Sequence, residues 1–184
     1  MTTIAISPSK EVFTIVAESQ FSEGDAVFSH TGKKIISEGN YIFTYAGDVL
    51  SRTWVQTVLK SLHPTADLEV LQEALLEYKN KMGTFSDKIS ADVMLFKLND
   101  HNQITNIYEL SFPSTLITEY LPQELTSPFF YGSGSDLAKG AYKALSKHST
   151  LTNKEALIEA VKLTAELDVW SNKNIEAKTI EVSP

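Results

Sequence analysis

The sequence predicts an α+β protein of four layers, two sheets stacked face to face with a pair of helices outside each. Three observations carry this. Segments with the two-residue period of strands and segments with the 3.6-residue period of helices alternate along the chain. Their order is strands, two helices, strands, two helices, strand. Apolar residues make up 42% and charged residues 21% of 184 residues, which is enough to build a core and excludes a disordered chain. No repeat, low-complexity tract or linker interrupts the pattern, so residues 1–184 are expected to form one domain.

Thr3 to Ile6 forms the first strand, and the turn Ser7-Pro8-Ser9 leads to a second, Glu11 to Ala17, rich in β-branched and aromatic residues. Lys34 to Ile36 and Tyr41 to Tyr45 are two more short apolar runs around the turn Glu38-Gly39-Asn40. After Gly47 the period changes: Trp54, Val55, Val58, Leu59 and Leu62 recur at helical spacing until Pro64. A second helix sets Leu68, Leu71, Leu75, Tyr78 and Met82 on one face and stops at Gly83. Val93 to Leu98 and Ile104 to Leu110 read as a hairpin closed by Asp100-His101-Asn102. Leu116 to Leu121 and Phe129 to Tyr131 are shorter strands, broken by Pro113, Pro122 and Pro128. Gly132-Ser133-Gly134-Ser135 opens a third helix with Leu137, Ala141 and Leu145 four apart. Thr152 and Glu155 form the capping box of a fourth, with Leu157, Ile158, Val161 and Ala165 on one side. Ala177 to Val182 is the last strand.

Composition excludes several functions. A net charge of −7 lacks the basic footprint that nucleic acid requires. With no cysteine there is no disulfide, thiolate metal site or cysteine nucleophile, which accords with a reducing compartment. Apolar runs such as Val93 to Phe96 are too short to span a bilayer. The start Met-Thr-Thr-Ile-Ala-Ile lacks the features of a signal peptide. A soluble cytoplasmic protein with no membrane partner is expected. His30, His63, His101 and His148 lack metal-ligand spacing, and no Gly-x-Ser-x-Gly elbow is present. Gly132-Ser133-Gly134-Ser135 lacks the lysine of a phosphate loop and reads as a tight turn with a serine helix cap. No metal or cofactor is expected.

The N-terminus carries more chemistry. Methionine is usually trimmed before a residue as small as Thr2, which would expose a threonine with a free α-amine. That amine has a reference pKa near ~7.7–8, so one residue would hold both a hydroxyl nucleophile and its base. Thr2-Thr3-Ile4, Ala17-Glu18-Ser19-Gln20, Lys33-Lys34-Ile35-Ile36 and Tyr45-Ala46-Gly47 follow in order, then Gly132-Ser133-Gly134 and Trp170-Ser171-Asn172. This ordered set resembles the proteasome β-type subunits, above all the HslV-like bacterial peptidases.

The resemblance implies the N-terminal nucleophile hydrolase sandwich and a set of roles. Thr2 would attack a peptide carbonyl. Lys34 would lower the proton affinity of its amine and hydroxyl, and Glu18 would pair with Lys34. The Gly47 N–H would meet the oxyanion, and Ser133 would relay the amine's proton. Glu166 stands at a family aspartate, with Asp168 as the alternative alignment, and Thr44 falls where a side chain shapes the specificity pocket. The resemblance also implies a homo-oligomeric ring enclosing its sites, polypeptide substrates and an ATP-dependent unfoldase partner. Three departures stand out. Glu18 is one methylene longer than the family aspartate and would overshoot the lysine unless the strand shifts. Asp48 replaces a glycine and is expected to cap a helix. Glu166 again replaces an aspartate. These keep a second reading in view, a catalytically inactive structural subunit of the same fold. An amidase acting on a small molecule is the weaker third.

Overall fold

Alternation along single strands sorts the apolar residues into three cores, and the cores define the layers. In the computed structural model, which describes residues 2–23, 26–29, 32–168 and 174–183, one sheet has the strand order β10-β1-β2-β11. It is built from β1 (Ile4–Pro8), β2 (Val12–Glu18), β10 (Phe129–Tyr131) and β11 (Ile175–Glu181). The second runs β5-β6-β7-β8-β9, from β5 (Ile35–Glu38), β6 (Tyr41–Gly47), β7 (Ala91–Leu98), β8 (Ile104–Phe112) and β9 (Leu116–Tyr120). Both are antiparallel throughout.

Ile4, Ile6, Phe13 and Ile15 of the first sheet meet Ile42, Ala46, Met94 and Phe96 of the second, filling the space between them. The intervening residues of β6 and β7, among them Tyr41, Phe43, Tyr45, Val93 and Leu95, face outward. There they pack on α1 (Val49–Ser61) and α2 (Leu68–Met82). Ala5 and Val16 face the other way, onto α3 (Ser135–His148) and α4 (Asn153–Leu167). Each fully buried Ile, Val or Phe contributes about 1.5–3 kcal/mol relative to exposure, so the two-residue period selects this layering. The α+β sandwich expected from the sequence is the observed fold.

Helix ends follow the local chemistry. Asp48 caps α1 by accepting from the Leu50 N–H at 2.9 Å, as expected for that residue. Gly83, at φ 59°, ends α2. Thr152 and Glu155 form both bonds of the capping box on α4.

Three expectations need correction. The pair β3 (Phe21–Glu23) and β4 (Ala26–Ser29) was not anticipated. Gly134, not a serine, is the N-cap of α3, with no side-chain cap bond. Leu137 is 44% exposed, because α3 buries Ala138 instead.

Candidate active site

The two sheets bring Thr2, Glu18 and Lys34 together at one end of the sandwich. Lys34 directly precedes β5 and is 2% exposed, whereas its neighbour Lys33 lies at the surface. Its ammonium donates to the Thr2 Oγ1 at 2.7 Å. Glu18, the last residue of β2, is fully buried. Its carboxylate accepts the Thr3 N–H at 3.3 Å and the Gln20 N–H at 2.6 Å. Two backbone donors thus hold the carboxylate of this longer side chain.

Burial draws the Lys34 ammonium down from 10.5 to about 8. The Glu18 carboxylate opposes that fall, and the Arg52 guanidinium adds to it. At neutral pH Lys34 is thus still a cation, held in a desolvated place by one buried anion. Below it lies the ring of Tyr45, with its centroid 4.9 Å from Nζ. Burial raises the Tyr45 phenol to about 12, while Arg52 lowers it and Glu18 raises it further.

Gly47 ends β6 at φ 123°, and a Cβ there would lie 2.3 Å from the Ser90 carbonyl oxygen. Only glycine fits that approach. The ladder fixes where its N–H points. Leu98 N–H donates to the Asn40 carbonyl and Asp48 N–H to the Ser90 carbonyl, so even-numbered residues of β6 bond β7. Odd-numbered Gly47 therefore turns its N–H toward the β5 side, beyond the point where β5 begins at Ile35. This is the Lys34 side of the sheet.

The turn before α3 is shaped by the same N-terminal strand. Gly132 has φ 88°, and a Cβ on it would fall 1.4 Å from the Thr2 carbonyl oxygen. A Cβ on Gly134 would meet Thr3 Oγ1 at 2.3 Å. Both glycines exist so that this turn can lie on Thr2 and Thr3. Ser133 between them donates to Asp168 Oδ2 at 2.7 Å. Of the two carboxylates weighed from the sequence, Asp168 is the one that meets Ser133. Glu166 is exposed beside a groove between α3 and α4, with Leu137, Leu163 and Leu167. Thr44, 1% exposed, turns toward Ile35 and Met94 of the inter-sheet core and has no open face. Tyr45, one residue on, meets Lys34 instead. Asp48 points its carboxylate into the α1 N-terminus, away from any role opposing an oxyanion. Met1, His30 and Trp170-Ser171-Asn172 lie outside the described residues.

No protein-family model matches the chain. Solved structures do resemble it. One is the crystal structure of eukaryotic HslV from Trypanosoma brucei, with TM-score 0.69 and 16% identity over 97% of this chain and 99% of that one. Another is the bacterial proteasome homologue BPH of Thiobacillus denitrificans in complex with epoxomicin, with TM-score 0.72 and 18% identity over 99% and 100%. A second structure of Thiobacillus denitrificans BPH gives TM-score 0.71 and 18% identity over 99% of each chain. The fold is that of the HslV and proteasome-like peptidases, as the sequence resemblance implied.

Proposed function

We propose that this chain is a threonine peptidase subunit that hydrolyses peptide bonds of unfolded polypeptides through Thr2, exposed by removal of Met1. The observation that carries the reading is the buried Lys34 ammonium donating to the Thr2 hydroxyl oxygen at 2.7 Å. A lysine is removed from water at considerable cost, and here it is directed at the one hydroxyl whose residue can also supply an amine.

The chemistry then follows from the residues around it. The freed α-amine takes the proton of Oγ1 as the oxygen attacks the carbonyl carbon. Lys34 steadies the developing alkoxide and keeps the amine's proton affinity low enough for it to serve as base near neutral pH. The Gly47 N–H, turned to this side, donates to the oxyanion. Ser133, held by Asp168, is the relay through which the amine's proton reaches the departing nitrogen. Collapse gives an acyl ester on Thr2 and releases the amine fragment. Water, deprotonated by the same amine, hydrolyses the ester. Glu18 supports Lys34 as its counter-charge.

The departures that favour an inactive structural subunit are accommodated: Glu18 is bonded on both oxygens, Asp48 serves a helix end, and Asp168 stands by Ser133. We therefore place the peptidase reading first, in a homo-oligomeric ring. An ATP-dependent unfoldase is the partner the resemblance implies.

Epoxomicin, the ligand of the Thiobacillus denitrificans protein, is the direct probe. Incubation followed by intact-mass and peptide mapping should give one adduct on a peptide that begins at Thr2. A chain that retains Met1, or a trimmed chain that takes no adduct at Thr2, sinks the peptidase reading and favours the structural one.

A further inference from the structure

Lys34 makes one contact that the reaction above does not use. Its Nζ stands 4.9 Å above the centre of the Tyr45 ring, within the range where an aromatic face attracts a cation. The contact is built into the fold. Tyr45 belongs to the outward-facing set of β6 with Tyr41 and Phe43, and it has no exposed surface. Its ring is therefore clamped by the α1–α2 layer and cannot swing away. At the far end of the ring the phenol faces the Arg52 guanidinium from the first turns of α1.

Arg52 is itself tethered. Its Nε donates to Gln56 Oε1 at 3.2 Å, and Gln56 Nε2 donates to Glu38 Oε2 at 3.2 Å in the β5–β6 hairpin. A relay of side chains thus runs from the hairpin, along α1, to the underside of the lysine. Among the described residues, the charged and titratable groups named against Lys34 include Glu18 from β2, Tyr45 from β6 and Arg52 from α1, together with the amine of a trimmed Thr2.

We infer that Tyr45 is a positioning residue for Lys34: its ring, clamped by the α1–α2 layer, holds the ammonium at the Thr2 hydroxyl. The inference deepens the threonine-peptidase reading and rests on it. Glu18 supplies charge from β2, and its carboxylate is held by two backbone N–H groups. The aromatic face supplies a second attachment from the opposite layer. The two groups of the relay also act on the lysine with opposite sign. The ring face favours the charged amine, whereas the guanidinium opposes it.

The test uses the full chain trimmed to Thr2, with ¹³C-labelled lysine, and follows the Lys34 ε-carbon through a pH titration by NMR. Tyr45→Leu should move the Lys34 midpoint to lower pH by about half a pH unit or more. Tyr45→Phe, which keeps the ring, should restore most of that shift, and Arg52→Gln should move the midpoint to higher pH. The alkaline limb of kcat/KM should follow in the same directions, with the loss in Tyr45→Leu falling on kcat and not on KM. Identical titrations of Tyr45→Leu and Tyr45→Phe overturn the inference, and an Arg52→Gln midpoint that stays or falls overturns the opposing role given to the guanidinium. Should Tyr45→Leu fail to fold, Tyr45→Met, which fills similar space without an aromatic face, takes its place in the comparison with Tyr45→Phe. The NMR midpoint needs no turnover, so a protein inactive toward peptides and epoxomicin would fail the peptidase reading while the titration still judged Tyr45.

Discussion

The two helix pairs cover their sheets in different ways. On one side α1 and α2 bury Trp54, Val55, Val58, Leu59, Leu71 and Leu75 against the five-stranded sheet. Trp54 lies 4.7 Å from Phe112 and 5.7 Å from Tyr78, ring to ring. On the other side α3 buries only Ala138, and α4 buries Ala156, Leu157, Ala160, Val161 and Thr164. Large side chains fill the first interface and small ones the second. Small residues let backbone approach backbone, and on the α3–α4 side that closeness seats the Gly132-Ser133-Gly134 turn on Thr2 and Thr3. One pair supplies most of the large side chains of the core, and the other seats Thr2. Stability and catalytic geometry should therefore separate under mutation.

The largest expected effect is on the first side. Trp54→Ala should lower unfolding stability by about 3–5 kcal/mol, read as a shift in denaturant midpoint, while the epoxomicin-labelling rate per folded chain stays near that of the parent. A parallel loss of labelling in the folded fraction would break the division of labour.

Next comes its mirror on the second side. Gly132→Ala puts a methyl where the Thr2 carbonyl stands and should cost about 10²-fold in labelling rate through displacement of Thr2. The α1–α2 core should keep its near-ultraviolet circular dichroism. A variant with unchanged labelling would show that the turn does not set the nucleophile.

A smaller effect sharpens the picture within α4. Asp168→Asn weakens the acceptor of the Ser133 hydroxyl and should slow turnover by roughly 10-fold, whereas Glu166→Gln, at the rim of the α3–α4 groove, should leave it within twofold. The reverse order would return the family role to Glu166.

A last comparison lies at the seam between the layers. Lys34 titrates at about 8 in the fold against 10.5 in its ordinary state. Between those values the unfolded chain binds the extra proton, so this group makes stability rise with pH from about 8 to 10.5 and contributes no slope below about 8. Lys34→Met should remove that rise when midpoints are compared across the window. Parallel curves for parent and variant would mean that the lysine is not desolvated as the structure has it.

Much of this was legible in the sequence because the information was local. Period two in β6 and β7, the capping box at Thr152 and Glu155, and the stop at Gly83 are statements about neighbouring residues. Thr2 and Lys34 were legible through resemblance. Phe21–Glu23 and Ala26–Ser29 were not, because strands of three and four residues carrying Ser and Glu have no run long enough to establish a period. The choice between Glu166 and Asp168 was open because the end of a helix fixes no register in an ungapped reading; in the fold it is Asp168 that meets Ser133. Glu18 at a strand end ordinarily faces water, and its burial follows from backbone donors of Thr3 and Gln20 that no pattern announces. Tyr45 and Arg52 were missed for a related reason. Seven residues apart across a strand-to-helix turn, they become neighbours only when α1 folds back over β6.

If Met1 is removed as proposed, the seating of Thr2 also bears on the order of events in biosynthesis. Thr2 is 1% exposed, its carbonyl lies against Gly132, and the strand that follows it sits between β2 and β10 in the interior of its sheet. An aminopeptidase needs an extended, accessible chain, and this fold withdraws Thr2 once β1 is paired. On the peptidase reading proposed above, removal of Met1 would therefore fall best before that pairing, as it can on a ribosome, where the N-terminal residues emerge long before Phe129–Tyr131 is made. On the same reading, material refolded with Met1 still attached should stay unlabelled by epoxomicin.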